Sequence, residues 1–211
     1  MYEKQFSDNS YGFRPHRSAK QTVMKYKEYI EAGYTWVVDI DLAKYFDTVN
    51  HDKLMRLLSE TIKDSKVLSL IRKYLQSGMM INGVVMETEE GTPQGGNLSP
   101  LLSNIMLNEL DNELTRRGLK FCCYGDDCNI YVRSRKAAHR VIASVTRFIK
   151  EELKLKVNKE KSAVDKPWKL KFFEFSFYQK QDRIGVRLHP KSVAKFKQKT
   201  GRSNAISIIK K

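Results

Sequence analysis

The stretch "FCCYGDDCNIYV", residues 121–132, sets two neighbouring acids, Asp126 and Asp127, between two short runs of apolar and β-prone residues. Such a pattern predicts a tight antiparallel hairpin with Gly125 and Asp126 at its tip. Glycine suits the first central position of a type II′ turn, where φ is positive. That register places Cys123 opposite Cys128. An acidic surface turn is the ordinary explanation of such a tip. Adjacent carboxylates repel, however, and at the end of a buried hairpin they call for a compensating cation.

Working outward, "TWVVDID" at 35–41 reads as a strand ending in acids. Helices are expected from Ser18, an N-cap, to Gly33, from Ser99 to Arg117 and over 135–153, each with an apolar stripe at helical spacing, and also over 51–60 and 66–76. Asn82-Gly83 marks a further hairpin, and "LKLKVN" at 153–158 reads as a short strand. Together these elements predict an α+β fold with a βαββαβ core, an antiparallel sheet with helices packed on one face. In that topology the end of the first strand lies beside the central hairpin turn, so Asp41 meets Asp126 and Asp127. Three converging carboxylates offering only oxygen favour Mg²⁺ or Mn²⁺ over zinc. Two such ions about 3.5 to 4 Å apart support phosphoryl transfer.

The composition agrees with an anionic partner. Among 211 residues, Lys and Arg outnumber Asp and Glu by 39 to 24, a formal charge of +15. Nucleic acid is the expected partner class. A hydrophobic content of 41% suffices for a core. No apolar run approaches the ~20 residues of a membrane span and the opening is not a signal peptide, so no membrane partner and a cytoplasmic location are expected. The three cysteines lack metal-ligand spacing and read as small core residues. Past the core, 170–189 reads as two more strands and "PKSVAKFKQKT" as a basic helix.

"DLAKYFD" at Asp41–Asp47, "GTPQGGNLSPLLSN" at Gly91–Asn104 and "YGDD" at Tyr124–Asp127 resemble polymerase motifs A, B and C. "YGFRPHRSAKQTV" and "PQGGNLSPLL" are similar to the reverse transcriptases encoded by bacterial group II introns, the maturase family. The resemblance implies a polymerase palm with a ferredoxin-like core, formed by 35–50 and 99–189. It further implies partial fingers in 1–34 and 51–98, and the start of a thumb in 190–211.

By the same resemblance, Asp41, Asp126 and Asp127 hold two Mg²⁺ ions, with the Leu42 carbonyl assisting. Phe46 blocks a ribose 2′-hydroxyl and so selects dNTPs. Pro93, Gln94 and Gly95 contact the nucleotide, and Lys161 protonates the departing pyrophosphate. Arg14, Arg17 and Lys20, on or before the first helix, are candidates for template phosphates. The expected partners are an RNA template or intron RNA, a DNA primer and dNTP, and the sequence leaves a homodimer open. Two departures stand out: Gly125 where the family has alanine, and Glu174 near the expected primer grip. A chain beginning inside the fingers and ending before a helical thumb is expected to be a fragment with little processive synthesis. An RNA-binding maturase module without polymerase activity is the competing function, and an RNA-dependent RNA polymerase, suggested by the bare "GDD", is a third that Phe46 argues against.

Overall fold

A computed structural model describes residues 1–77, 79–81, 84–86, 89–93, 95–180 and 183–200. Its centre is a four-stranded sheet of β1 (Trp36–Ile40), with β4 (Lys120–Tyr124), β5 (Asp127–Val132) and β6 (Ala163–Asp165), in the order β4-β5-β1-β6. Every pairing is antiparallel. In βαββαβ numbering this is the ferredoxin-like order that the sequence predicts. A hairpin of β2 (Met79–Ile81) and β3 (Val84–Met86) joins Ile81 to Val84 across its end, while Asn82 and Gly83 lie outside the described residues.

The helices follow from local chemistry. Ser18 caps α1 (Ala19–Glu31) in a reciprocal capping box with Gln21. Asn50, Asp64 and Ser134 cap α3 (His51–Thr61), α4 (Ser65–Gln76) and α6 (Arg135–Glu151) through their side-chain oxygens. A single turn, α2 (Tyr45–Thr48), precedes α3. The long α5 (Ser99–Arg116) has proline in its first turn, where the missing N–H costs nothing.

One face of the sheet, through Val38, Ile40, Cys128 and Ile130, packs on Leu102, Met106 and Leu110 of α5 and on Val145 and Ile149 of α6. The opposite face is also covered. There Val37, Cys122 and Tyr131 meet Tyr26 of α1 and Phe177 of the hairpin formed by β7 (Phe175–Lys180) and β8 (Arg183–Leu188). Tyr26 stacks on Phe177 with centroids 4.1 Å apart and meets Tyr131 edge-on at 4.8 Å. Each such ring pair contributes about 0.5–1.5 kcal/mol beyond its buried area. The helix α7 (Pro190–Thr200) closes the described chain.

One expected element moves. Residues 153–158 form no strand; Lys154 has φ +59°, and Leu155 N–H returns to Ile149 O, so the segment caps α6. Leu153 and Leu155 do point into the core, which explains the alternation. The fourth strand is supplied instead by Ala163–Asp165, with Val157 adding only a single bridge to Leu42. No helix among the described residues is long and apolar enough to cross a membrane.

Candidate active site

Ile40 pairs with Cys128 at the end of β1, so Asp41 emerges beside Asp127. The backbone of Asp41 is gripped by the α6–β6 connection: its N–H donates to Ser162 Oγ at 3.0 Å and its carbonyl accepts from Asn158 N–H at 2.8 Å. Across the site, Tyr124 pairs with Asp127, leaving Gly125 and Asp126 as the turn. Gly125 has φ +61° and Asp126 has no positive φ, the pattern a type II′ turn requires. Cys123 and Cys128 face each other behind the turn as free, buried thiols, Sγ to Sγ 2.8 Å.

The turn rests on a strap that sequence reading missed. Residues 9–12 run parallel to β4, with Tyr11 N–H donating to Cys123 O and Cys123 N–H to Asn9 O, both at 2.9 Å. Gly12 lies so close beneath that a Cβ there would sit 2.1 Å from Gly125 N. Asn104 of α5 fixes the strap by donating to Gly12 O at 3.0 Å. These contacts link residues about a hundred positions apart, and no local pattern encodes them.

Asp41, Asp126 and Asp127 come within electrostatic reach of one another. Partial desolvation pushes the Asp127 carboxyl up to about 6, the Asp126 and Asp41 carboxylates add to it, and Lys161 opposes. Asp127 remains accessible to solvent, so charge crowding weighs heavily in that shift. Lys161 Nζ stands 3.9 Å from Asp41 Oδ2, a loose pair in which the lysine is largely exposed. One turn of the strand inward, Asp39 accepts from Asn129 Nδ2 at 2.7 Å; burial pushes it to about 7, against the Asn129 hydrogen bond and with help from Asp127 and Asp41. Four carboxylates therefore share one neighbourhood with one nearby ammonium. Among the described residues no group of three or more His, Cys, Asp or Glu side chains is arranged so that it could hold a metal ion. The oxygen-only donors and their uncompensated charge nonetheless fit a hard divalent cation.

Beside the acids, Phe46, Phe13, Gly95, Gly96, Asn97, Ser99 and Pro100 line an open pocket of about 610 Å³. The loop that forms its rim is tied to motif A: Thr92 N–H donates to Phe46 O at 2.6 Å, and the His51 ring contacts Gly91 O at 2.6 Å. Pro93 O accepts from Ser99 Oγ at 2.6 Å. Leu42 is buried, and Gln94 lies outside the described residues.

The three basic candidates separate. The Arg14 side chain is buried at 4% exposure and donates to Ser7 O and Ser10 O while pairing with Glu3, so it locks the N-terminal segment rather than facing a phosphate. Arg17 pairs with Asp8 over the Tyr11 ring, and Lys20 is exposed.

Asp111 of α5 is another acid that the sequence did not flag. It is 2% exposed, and burial pushes its carboxyl up to about 6 against the opposing influence of Cys123, Ser10 and Arg14. A folded-state value above the unfolded 3.8 means that the native protein binds the extra proton. Stability from this group is therefore present at low pH and lost as pH rises through about 4 to 6, by about 3 kcal/mol at most. Urea titrations over that range should show a shallower fall with pH in Asp111→Asn than in the parent, the remainder coming from the raised Asp39 and Asp127 carboxyls; parallel pH profiles would contradict it.

A profile of the family described as "Reverse transcriptase (RNA-dependent DNA polymerase)" matches residues 1–177. The chain belongs to the reverse transcriptase family. Within that family, it is 33% identical to Protein YkfC of Escherichia coli over 78% of this chain and 53% of that protein. It is 43% identical to the group II intron-encoded protein LtrA of Lactococcus lactis over 57% of this chain and 20% of LtrA. The chain thus spans about half of one relative and a fifth of the other. Its fold is that of a polymerase palm with fingers elements: apo telomerase from Candida tropicalis superposes with a TM-score of 0.67 at 10% identity, covering 90% of this chain and 39% of telomerase. These relatives agree with the group II intron resemblance carried by "YGFRPHRSAKQTV" and "PQGGNLSPLL".

Proposed function

We propose that this chain is the nucleotidyl-transfer core of an RNA-directed DNA polymerase, extending a DNA primer with dNTP along an RNA template. The convergence of Asp41, Asp126 and Asp127 around a single loose lysine carries the reading. These three carboxylates, with the Leu42 carbonyl, would hold two Mg²⁺ or Mn²⁺ ions, which activate a primer 3′-hydroxyl and neutralise charge on the phosphates. The protein's own residues do the positioning. The Gly12 strap and the type II′ turn hold Asp126 at a rigid tip, and Ser162 and Asn158 fix Asp41. Phe46 lines the pocket, where its ring would admit a deoxyribose and block a ribose 2′-hydroxyl. Lys161, within reach of Asp41, is placed to give a proton to the leaving pyrophosphate.

Primer extension on poly-rA/oligo-dT tests the proposal. We expect incorporation of dTTP in Mg²⁺, none in excess EDTA, and preference for deoxynucleotides over ribonucleotides. Metal-independent incorporation or a preference for ribonucleotides counts against it, as does no extension even when the chain is extended at both ends to the length of its relatives.

The charge of +15 favours a second reading, a maturase module that folds intron RNA. RNA binding that survives loss of the carboxylates, together with splicing that needs no synthesis, would put that reading first.

A further inference from the structure

The strands of the palm carry the acids at one end and a different cluster at the other. Trp36 opens β1 opposite Val132, a strand length of about 17 Å from Asp41. Around it, Lys166 Nζ lies 4.6 Å from the Trp36 ring centroid and 5.6 Å from that of Trp168, while Arg135 Cζ stands 5.9 Å from Trp36 and Arg133 Cζ 4.9 Å from Tyr34. Arg133, Arg135 and Trp168 are exposed.

Two observations show that charge pairing does not account for the cations of this cluster, whose Lys166 Nζ donates, among the described residues, only to Thr35 Oγ1. None of its three cations has a carboxylate partner among the described residues; the neighbouring Asp165 is paired with Lys169. Moreover, Arg135 and Lys136 occupy the first turn of α6, which holds no acid. The positive end of a helix dipole disfavours cations there by about 0.3–1 kcal/mol each. Unpaired cations, a helix N-terminus and aromatic rings together raise a local positive potential beside flat apolar faces. Stacking bases and a phosphate backbone satisfy both. An acidic peptide would satisfy only the charge.

We infer that this end of the palm, built from Tyr34, Trp36, Arg133, Arg135, Lys166 and Trp168, is a second nucleic-acid site that binds single-stranded RNA away from the carboxylates. The inference stands apart from the polymerase reading, because the two sites lie at opposite ends of the same strands.

The chain has two tryptophans, and both lie in this patch, which gives a direct readout. Titrating the full chain with a fluorescein-labelled single-stranded RNA of ~20 nucleotides should quench tryptophan emission in step with fluorescein anisotropy. Arg133→Ala/Arg135→Ala should lower affinity about tenfold and reduce the salt slope by about 1.4, at ~0.7 per phosphate contact. Removing two charges further along the same helix, Arg147→Ala/Lys150→Ala, should cost less than about threefold. Asp126→Asn should leave the quench intact, so a failure of the polymerase reading does not carry this one with it. RNA binding without a change in tryptophan emission would overturn the inference, as would equal losses in the two double variants or equal displacement of the RNA by polyglutamate. Circular dichroism melts confirm that each variant is folded before it is scored.

Discussion

Asp126→Asn is expected to abolish primer extension while leaving the protein at least as stable as its parent. The expectation joins two consequences of one crowded site. Asp126 sits at the tip of the turn, and its charge is among the forces pushing Asp127 up to about 6. Replacing it with a neutral isostere removes like-charge repulsion without creating a cavity, so denaturant midpoints should match or exceed the parent's, with a change within about 1 kcal/mol. Activity should move the other way. A ligand lost from the proposed ion site weakens stabilisation of developing phosphate charge by several kcal/mol, about a thousandfold or more in rate. A variant that is both inactive and unfolded would say nothing about the carboxylate, which is why the urea curve is paired with the assay. Retained synthesis in a folded variant would reject Asp126 as a ligand.

The largest structural effect should come from a residue that touches no substrate. In Gly12→Ala the new methyl would stand 2.1 Å from Gly125 N and 2.8 Å from Tyr124 C, both backbone atoms that cannot turn aside. Either the strap leaves β4, breaking the hydrogen bonds of Tyr11 and Asn9 with Cys123, or the turn carrying Asp126 shifts. Overpacking a rigid site costs about 1–3 kcal/mol and occasionally more, and with both backbone bonds at stake we expect about 3 kcal/mol or above by urea denaturation. Extension should fall with it, because the carboxylates lose their support. Gly118→Ala is the comparison: its φ of +66° brings a backbone strain that Gly12, which has no positive φ, lacks, but nothing lies within 4 Å of a Cβ there. It should cost only the conformational penalty, roughly 1–2 kcal/mol, and leave activity alone. Equal losses in the two variants would mean that the close approach of strap and turn is unimportant.

Much of this was legible in the sequence because it depends on local rules. The apolar stripes of α1, α5 and α6 and the cap at Ser18 located these helices to within two residues. The hairpin register followed from Gly125 alone, and the meeting of Asp41 with Asp126 and Asp127 followed from strand order once the βαββαβ pattern was read. What escaped reading depends on distance in the chain. Leu153 and Leu155 alternate as strand residues do, yet they serve to close α6, because a core-facing period of two is satisfied by any extended segment. Arg14 looks from the sequence like a free cation. Only the fold brings Ser7 O and Ser10 O to it. Asp111 and Asp39 appear as ordinary polar positions until neighbouring elements bury them.

The bond between Thr92 N–H and Phe46 O makes Phe46 and the pocket rim a single mechanical piece, and Gly91 seals it, since a Cβ there would lie 2.9 Å from the same oxygen. Anyone reshaping this pocket by directed evolution should therefore find that changes at 91 or 92 displace Phe46 as well. Gly96 is no freer, with the Tyr74 hydroxyl against it. Gly95 has open space on its side-chain face, yet its φ of +77° strains any side chain placed there, so added bulk at this lip costs backbone strain rather than a clash.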